Sequence, residues 1–278
     1  MTAERKLAVA SAGAAALAGL GWGAFEAGWA RLRVLDLPLA GLPAELDGLR
    51  IAHLSDFHLG VPSRGRRAVE RAVDWVADRS PDLVCVTGDL VSRPRGRPLL
   101  ERLLHRLGEP IIVLGNHDHA LSRDPFSRPV LLDGLGAGRL LQDESIEIEQ
   151  RGCPIEIAGV DPRSWLERRG SGFPPSDAPF RLLLCHFPRV LDFVQPGRWS
   201  LILAGHLHAG QIVLPYAGGR LLLAHPRSRY SEGVYRRGVT TMHVSAGLGT
   251  TFVPFRYFAR PEATELVLRC AEAWKDTV

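Results

Sequence analysis

The sequence predicts an α/β layer protein, and three features carry that expectation. Short runs of branched apolar residues recur at 49–54, 83–86, 111–114, 182–185 and 201–204, the pattern of strands buried on both faces. Segments of helical periodicity lie between the first three. Period-two segments follow them. Strand, helix, strand, helix, strand is the order of a layered α/β domain.

Taken in chain order, residues 7–25 carry no charge and are flanked by Arg5 and Lys6 on one side and Glu26 on the other. That is about the length a bilayer core demands, so residues 1–30 read as an N-terminal apolar helix serving as membrane anchor or signal segment. The run is rich in Ala and Gly, which leaves a cleaved signal and a loosely held anchor both open. Orientation is poorly specified, because Arg5 and Lys6 are balanced by Arg31 and Arg33 across the run. Residues 31–48 read as an extended connector in which Pro38 and Pro43 block helix. The remaining body spans 49–278. Within it, Val69, Ala72, Val73, Val76 and Ala77 form one apolar helix face. Pro98 followed by Leu99, Leu100, Leu103, Leu104 and Leu107 repeats the signal, with proline near the first turn. Ile146, Ile148, Ile155 and Ile157 alternate with Glu around Arg151 and Gly152, which predicts a hairpin.

Composition removes several alternatives. With 46% hydrophobic and 23% charged residues and a net charge of +4 over 278 residues, the chain is globular and long enough for a full core. Cys85, Cys153, Cys185 and Cys270 show no close spacing, so neither a zinc knuckle nor a redox pair is built from neighbours, and buried free thiols are expected. The 34 basic residues include only two lysines, Lys6 and Lys275, a skew that coding-DNA base composition alone can produce. Net charge is therefore weak support for a nucleic-acid partner.

Each apolar run is followed by residues able to bind a metal ion. They are Asp56 and His58 after the first, Gly88-Asp89 after the second, Gly115-Asn116-His117-Asp118 after the third, His186 after the fourth, and Gly205-His206-Leu207-His208 after the fifth. One such residue is ordinarily a cap or a satisfied polar group. Five in succession at C-terminal strand ends, where sites gather in α/β sheets, would be costly to bury at one sheet edge without a cation. The donors are oxygen and nitrogen with no thiolate, which favours manganese, iron or zinc. The i, i+2 spacing of Asp56/His58 and His206/His208 would aim each pair to one side if the segments were extended. Glycine before Asp89, Asn116 and His206 lets the backbone turn sharply and approach an ion.

This ordered set closely resembles the calcineurin-like metallophosphoesterases. Through 205–211 and 245–250 it is similar to their membrane-associated bacterial branch, which includes UDP-2,3-diacylglucosamine pyrophosphatase-like enzymes. The resemblance implies a four-layer α/β/β/α sandwich over 49–278 holding two divalent metal ions. By it, Asp56, His58 and His208 would hold the first ion, Asn116, His186 and His206 the second, and Asp89 would bridge them with one oxygen for each. His117 would protonate the leaving oxygen, with Asp118 orienting its ring. Ser92 stands where an Asp often occurs in the family, which puts one supporting contact in doubt.

The activity implied is hydrolysis of a phosphoester by two cations that clamp the phosphoryl group and activate a water. An amphiphilic, lipid-linked phosphodiester or pyrophosphate at a membrane surface is the expected substrate. A nuclease and a non-catalytic membrane-bound metal-binding module are the alternatives; the anchor speaks against nucleic acid as partner. Arg64, Arg66 and Arg67, with Arg93, Arg95 and Arg97, are expected near the site mouth, where they could hold a second phosphate. Residues 165–180, with Trp165, Leu166 and Phe173, are expected to form a mobile apolar lip for acyl chains, and His53, His105, His119, His225 and His243 to serve as core or loop residues. A segment that only tethers could be removed without loss of cleavage of a soluble diester.

Overall fold

A computed structural model describes residues 2–132 and 134–272, so the last six residues of the expected body lie outside the described residues. The chain begins with α1 (Ala3–Ala27) and β1 (Arg31–Ala40). There follow β2 (Arg50–Leu54), α2 (Gly65–Arg79), β3 (Leu83–Thr87), α3 (Arg97–Leu107), β4 (Ile111–Val113) and the short β5 (Arg139–Leu140). The second half contributes β6 (Glu144–Gln150), β7 (Cys153–Val160), the one-turn α4 (Trp165–Arg168), β8 (Phe180–Cys185) and β9 (Leu201–Ala204). It ends with β10 (Val213–Tyr216), β11 (Gly219–Leu222), β12 (Gly233–Arg237), β13 (Thr240–Val244) and β14 (Glu262–Ala271).

Two six-stranded sheets form, in the orders β1-β14-β2-β3-β4-β5 and β12-β13-β9-β8-β7-β6. The strands that end in candidate ligands therefore belong to two sheets rather than to one edge. Alternate residues explain the layering. Ile51, Leu83, Cys85 and Ile111 of the first sheet meet Ile155, Ile157, Leu182, Leu184 and Leu203 of the second in a common core. The intervening Ala52, Leu54, Val84, Val86 and Ile112 point outward onto Val69, Val73 and Val76 of α2 and Leu100, Leu103 and Leu104 of α3. The outer face of the second sheet is covered, among the described residues, by a thin layer: α4, a 3₁₀ turn at Pro188–Asp192 and Trp199. The order of layers is thus α/β/β/α, with the last α layer short.

Residues 31–40, expected as a connector, instead form the edge strand of the first sheet, paired in parallel with β14 over ten residues. Pro38 fits because an edge strand has one side free of ladder hydrogen bonds. The 150–153 hairpin forms as expected, with Gln150 opposite Cys153 and Arg151 and Gly152 at positive φ. Cys85, Cys153 and Cys185 are buried free thiols, whereas Cys270, on a strand end at the surface, is exposed.

Candidate metal centre

The C-terminal ends of β2, β3, β4, β8 and β9 converge where the two sheets meet. Asp56, His58, Asp89, His206 and His208 all sit at positive φ, between 46° and 80°. Each non-glycine residue there costs about 1–2 kcal/mol relative to ordinary backbone. The two i, i+2 pairs are therefore not extended, and left-handed turns rather than strand alternation bring their side chains together. Close approach depends on glycine: a Cβ at Gly115 would fall on the Asp89 carboxylate, and one at Gly205 on Ser55 Oγ and the Asp56 carboxylate.

Two groups of donor atoms result. In the first, Asp56, His58, Asp89 and His208 offer ligand atoms all within 4.8 Å of one another; in the second, Asp89, His186 and His206 do. His58 Nε2 lies 3.1 Å from His208 Nε2, which is 3.3 Å from Asp56 Oδ1. His206 Nδ1 lies 3.1 Å from His186 Nε2. Asp89 joins the groups through a single oxygen: Oδ2 is 3.5 Å from His58 Nε2 and 3.2 Å from His186 Nε2, while Oδ1 accepts the His117 N–H at 2.8 Å. One oxygen faces both groups, in place of the expected one for each.

The donors fit divalent cations. Asn116 is buried and its Oδ1 has no hydrogen-bond partner among the described residues, an orphan that an ion would satisfy. His186 Nδ1 donates to the Thr87 carbonyl at 2.8 Å, which turns Nε2 toward Asp89. Burial disfavours charge on Asp89, yet the rings of His186 and His117 hold its carboxyl well below the usual range. Asp56 is likewise depressed, with burial outweighed by His208. His186 is carried up to about 9, since Asp89 overcomes the opposing burial, whereas burial and the neighbouring His186 push His206 down to about 3.

Several supporting roles differ from expectation. Asp118 does not touch the His117 ring; it accepts the N–H groups of Leu90, Val91 and Gly115 at 2.8–3.0 Å and so binds the β3 loop to the β4 loop. Burial and Asp89 raise its carboxyl to about 7. The His117 ring is held instead by Ser127 Oγ, 2.6 Å from Nδ1, with Asp124 Oδ2 at 3.8 Å. Ser92 Oγ lies 2.9 Å from His58 Nδ1, so serine makes a contact the sequence put in doubt. Arg256, fully buried, lies 3.1 Å from His208 Nδ1 and donates to the carbonyls of Ala246, Gly247, Gly249 and Ala259. His225 also approaches, its ring centroid 6.2 Å from that of His206. No strand-end pattern marked Ser127, Asp124 or Arg256; only their polarity in loop sequence was available as a signal. His53 is a core residue, bonded to Thr87 Oγ1 and His243.

A family model described as calcineurin-like phosphoesterase matches residues 49–210. The chain belongs to that family. Its members are hydrolases acting on phosphoester bonds. Among its relatives, the uncharacterized metallophosphoesterase YkoQ of Bacillus subtilis is 30% identical over 236 residues, covering 81% of this chain and 84% of its own length. A transmembrane protein with metallophosphoesterase domain from Danio rerio is 33% identical over 260 residues, covering 85% of this chain and 57% of the fish protein. The UDP-2,3-diacylglucosamine pyrophosphatase LpxG of Chlamydia muridarum is 24% identical, with 86% and 89% covered.

Around the candidate centre the surface is uneven. Arg66 and Arg95, joined by Arg102, line a cavity of about 420 Å³ with His58 in its wall. Arg93 and Arg97 are instead tied to the Phe126 and Leu131 carbonyls. A second cavity, about 480 Å³ and largely apolar, is lined by Leu207, His208, Ile212, Leu223, Phe252 and Val253. The expected lip at 165–180 is not free: Trp165 stacks on Phe187 at 5.3 Å and Phe173 packs edge-on against Trp199 at 5.6 Å. These aromatics complete the outer core of the second sheet, which leaves Leu166 as the exposed side chain of the three.

Proposed function

We propose that the chain is a two-metal phosphodiesterase or pyrophosphatase acting on a lipid-linked phosphoester at a membrane that α1 enters. The observation that carries the two-metal reading is Asp89 Oδ2, within 3.5 Å of a ring nitrogen from each ligand group. Asp56, His58 and His208 would hold one cation, Asn116, His186 and His206 the other, with Asp89 shared; the O/N donor set suits manganese, iron or zinc. Such cations, when bound, stabilise charge on the phosphoryl oxygens and on the attacking and leaving oxygens.

The chain's own residues do the rest. With His117 Nδ1 engaged by Ser127, the Nε2 edge faces the centre, 4.0 Å from Asp89 Oδ2, where it can give a proton to the leaving oxygen. Asp118 keeps the loops after β3 and β4 in register, so that Asp89 and His117 stay apposed. The lipid-linked class is supported by α1, which is apolar and almost wholly exposed, and by the substrate in the chlamydial relative's name.

Purified protein should hydrolyse a soluble aryl phosphodiester, lose that activity on chelation and regain it with manganese. Undiminished turnover in metal-free protein overturns the reading. A parallel screen of nucleotide-linked lipids, phospholipids and single-stranded DNA tests the substrate class: faster turnover of DNA than of every lipid would favour a nuclease.

A further inference from the structure

Helix α1 is not an appendage joined only by its peptide link. The Gly23 carbonyl accepts the Arg256 N–H at 3.1 Å, the Gly19 carbonyl accepts Tyr257 Oη–H at 3.0 Å, and Glu26 Oε1 accepts the Ala259 N–H at 2.7 Å. Arg260 lies over the Trp29 ring at 3.7 Å. The same 256–260 segment holds the β10–β11 hairpin: Val213 N–H donates to the Tyr257 carbonyl at 2.9 Å and Arg220 to that of Phe258 at 3.0 Å. Helix, loop and hairpin therefore form one connected face.

That face is apolar where it meets solvent. Leu214, Tyr216 and Leu221 of the hairpin, Phe252 and Phe258 of the loop, and Leu223 beyond β11 are all exposed. At the same level α1 exposes Trp22 and Phe25, with Trp29 just beyond its end, an aromatic cluster of the kind found where a helix leaves the hydrocarbon core. The apolar cavity opens between Leu223 and Phe252–Val253 and has His208 in its wall. Charge fits the same partner. Arg220, Arg227 and Arg229 are exposed on and just after the hairpin and Arg260 is half-buried beside Trp29, with Glu232 the one carboxylate residue in 193–261, a balance suited to anionic headgroups.

We propose that this face rests on an anionic bilayer and that the groove between Leu223 and Phe252 is the path by which the acyl portion of the substrate reaches the metal centre. The proposal rests on the lipid-linked reading above and adds the direction of approach. Continuity with α1 selects the bilayer as the occupant: a helix that enters a membrane and is bonded to loop 256–260 must hold that loop, and the hairpin bonded to it, at the membrane surface. Aromatic and leucine side chains then bury in the interface while the arginines stay at headgroup level.

The test uses full-length protein with Cys270→Ser, so that a single introduced cysteine carries an environment-sensitive fluorophore. Labels at Leu221→Cys, Phe252→Cys and, as control, Glu109→Cys occupy exposed positions, the last at the opposite ends of the strands. The protein is reconstituted into phosphatidylcholine–phosphatidylglycerol vesicles containing nitroxide-labelled acyl chains. Loss of fluorescence at 221 and 252, but not at 109, is the expected result. No quenching at 221 in protein that floats with the vesicles overturns the docked face, and protein that does not float at all overturns it equally. Quenching at 221 without quenching at 252 overturns the groove as the path. Hydrolysis of a soluble diester by the unlabelled parent protein reports separately on the phosphoesterase reading.

Discussion

Asp89 is the residue on which both ligand groups depend. Because one oxygen serves both, Asp89→Asn should strip both metals and abolish hydrolysis, whereas Asn116→Ala should cost at most one ion; elemental analysis of purified variants distinguishes the two. His117 should behave differently. His117→Ala is expected to keep its metal while losing about 10² to 10⁴ in turnover, less for leaving groups that need no proton. Ser127→Ala, which only releases the ring, should lose less, with Ser127→Thr restoring it. A His117→Ala protein that arrives without metal would make His117 a ligand. His186 sets a pH dependence. Its raised value, about 9, means that its charge stabilises the metal-free protein fully below pH 6.5, a contribution lost as pH rises toward 9. Coordination at Nε2 must displace that proton, so metal affinity should rise over the same window with proton release on titration; affinity independent of pH would contradict it.

At the scale of elements, the site is made by sharp turns at strand ends, and sequence spacing shows where they fall but not their shape. Gly205→Ala puts a methyl group on the Asp56 carboxylate and should lower metal content without unfolding the sheets, which metal analysis beside circular dichroism would show. Arg256→Met leaves the carbonyls of Ala246, Gly249 and Ala259 buried without their donor and should cost roughly 3 kcal/mol or more in denaturant unfolding. The contrast explains what was legible in the sequence. Asp56, Asp89, Asn116, His186 and His206 each follow a buried apolar run, a local pattern a reader can find. Ser127, Asp124 and Arg256 reach the site from loops whose course is set by tertiary packing, so no periodicity marks them. The partner of β1 lies more than 200 residues away in β14, and an alternating edge strand next to prolines reads locally as a connector.

For the whole molecule, the question is whether α1 only tethers the body or also shapes the site. Gly23 has no side chain because the Tyr257 ring lies against it; a Cβ there would overlap the ring. Tyr257 neighbours Arg256, whose guanidinium lies against His208, so a short chain of contacts runs from the helix to a candidate ligand. A pure tether predicts that removing residues 1–28 leaves hydrolysis of a soluble diester unchanged. The bonds from Gly19, Gly23 and Glu26 predict instead that removal lowers the melting temperature and reduces turnover of the soluble substrate as well. Because truncation also exposes apolar surface, Gly23→Leu in the full chain is the cleaner comparison: it keeps α1 and displaces Tyr257. It should lower turnover of soluble and vesicle-borne substrates together while the protein still floats with vesicles. Unchanged soluble turnover in both variants would reduce α1 to a tether and leave Arg256 to position His208 without it.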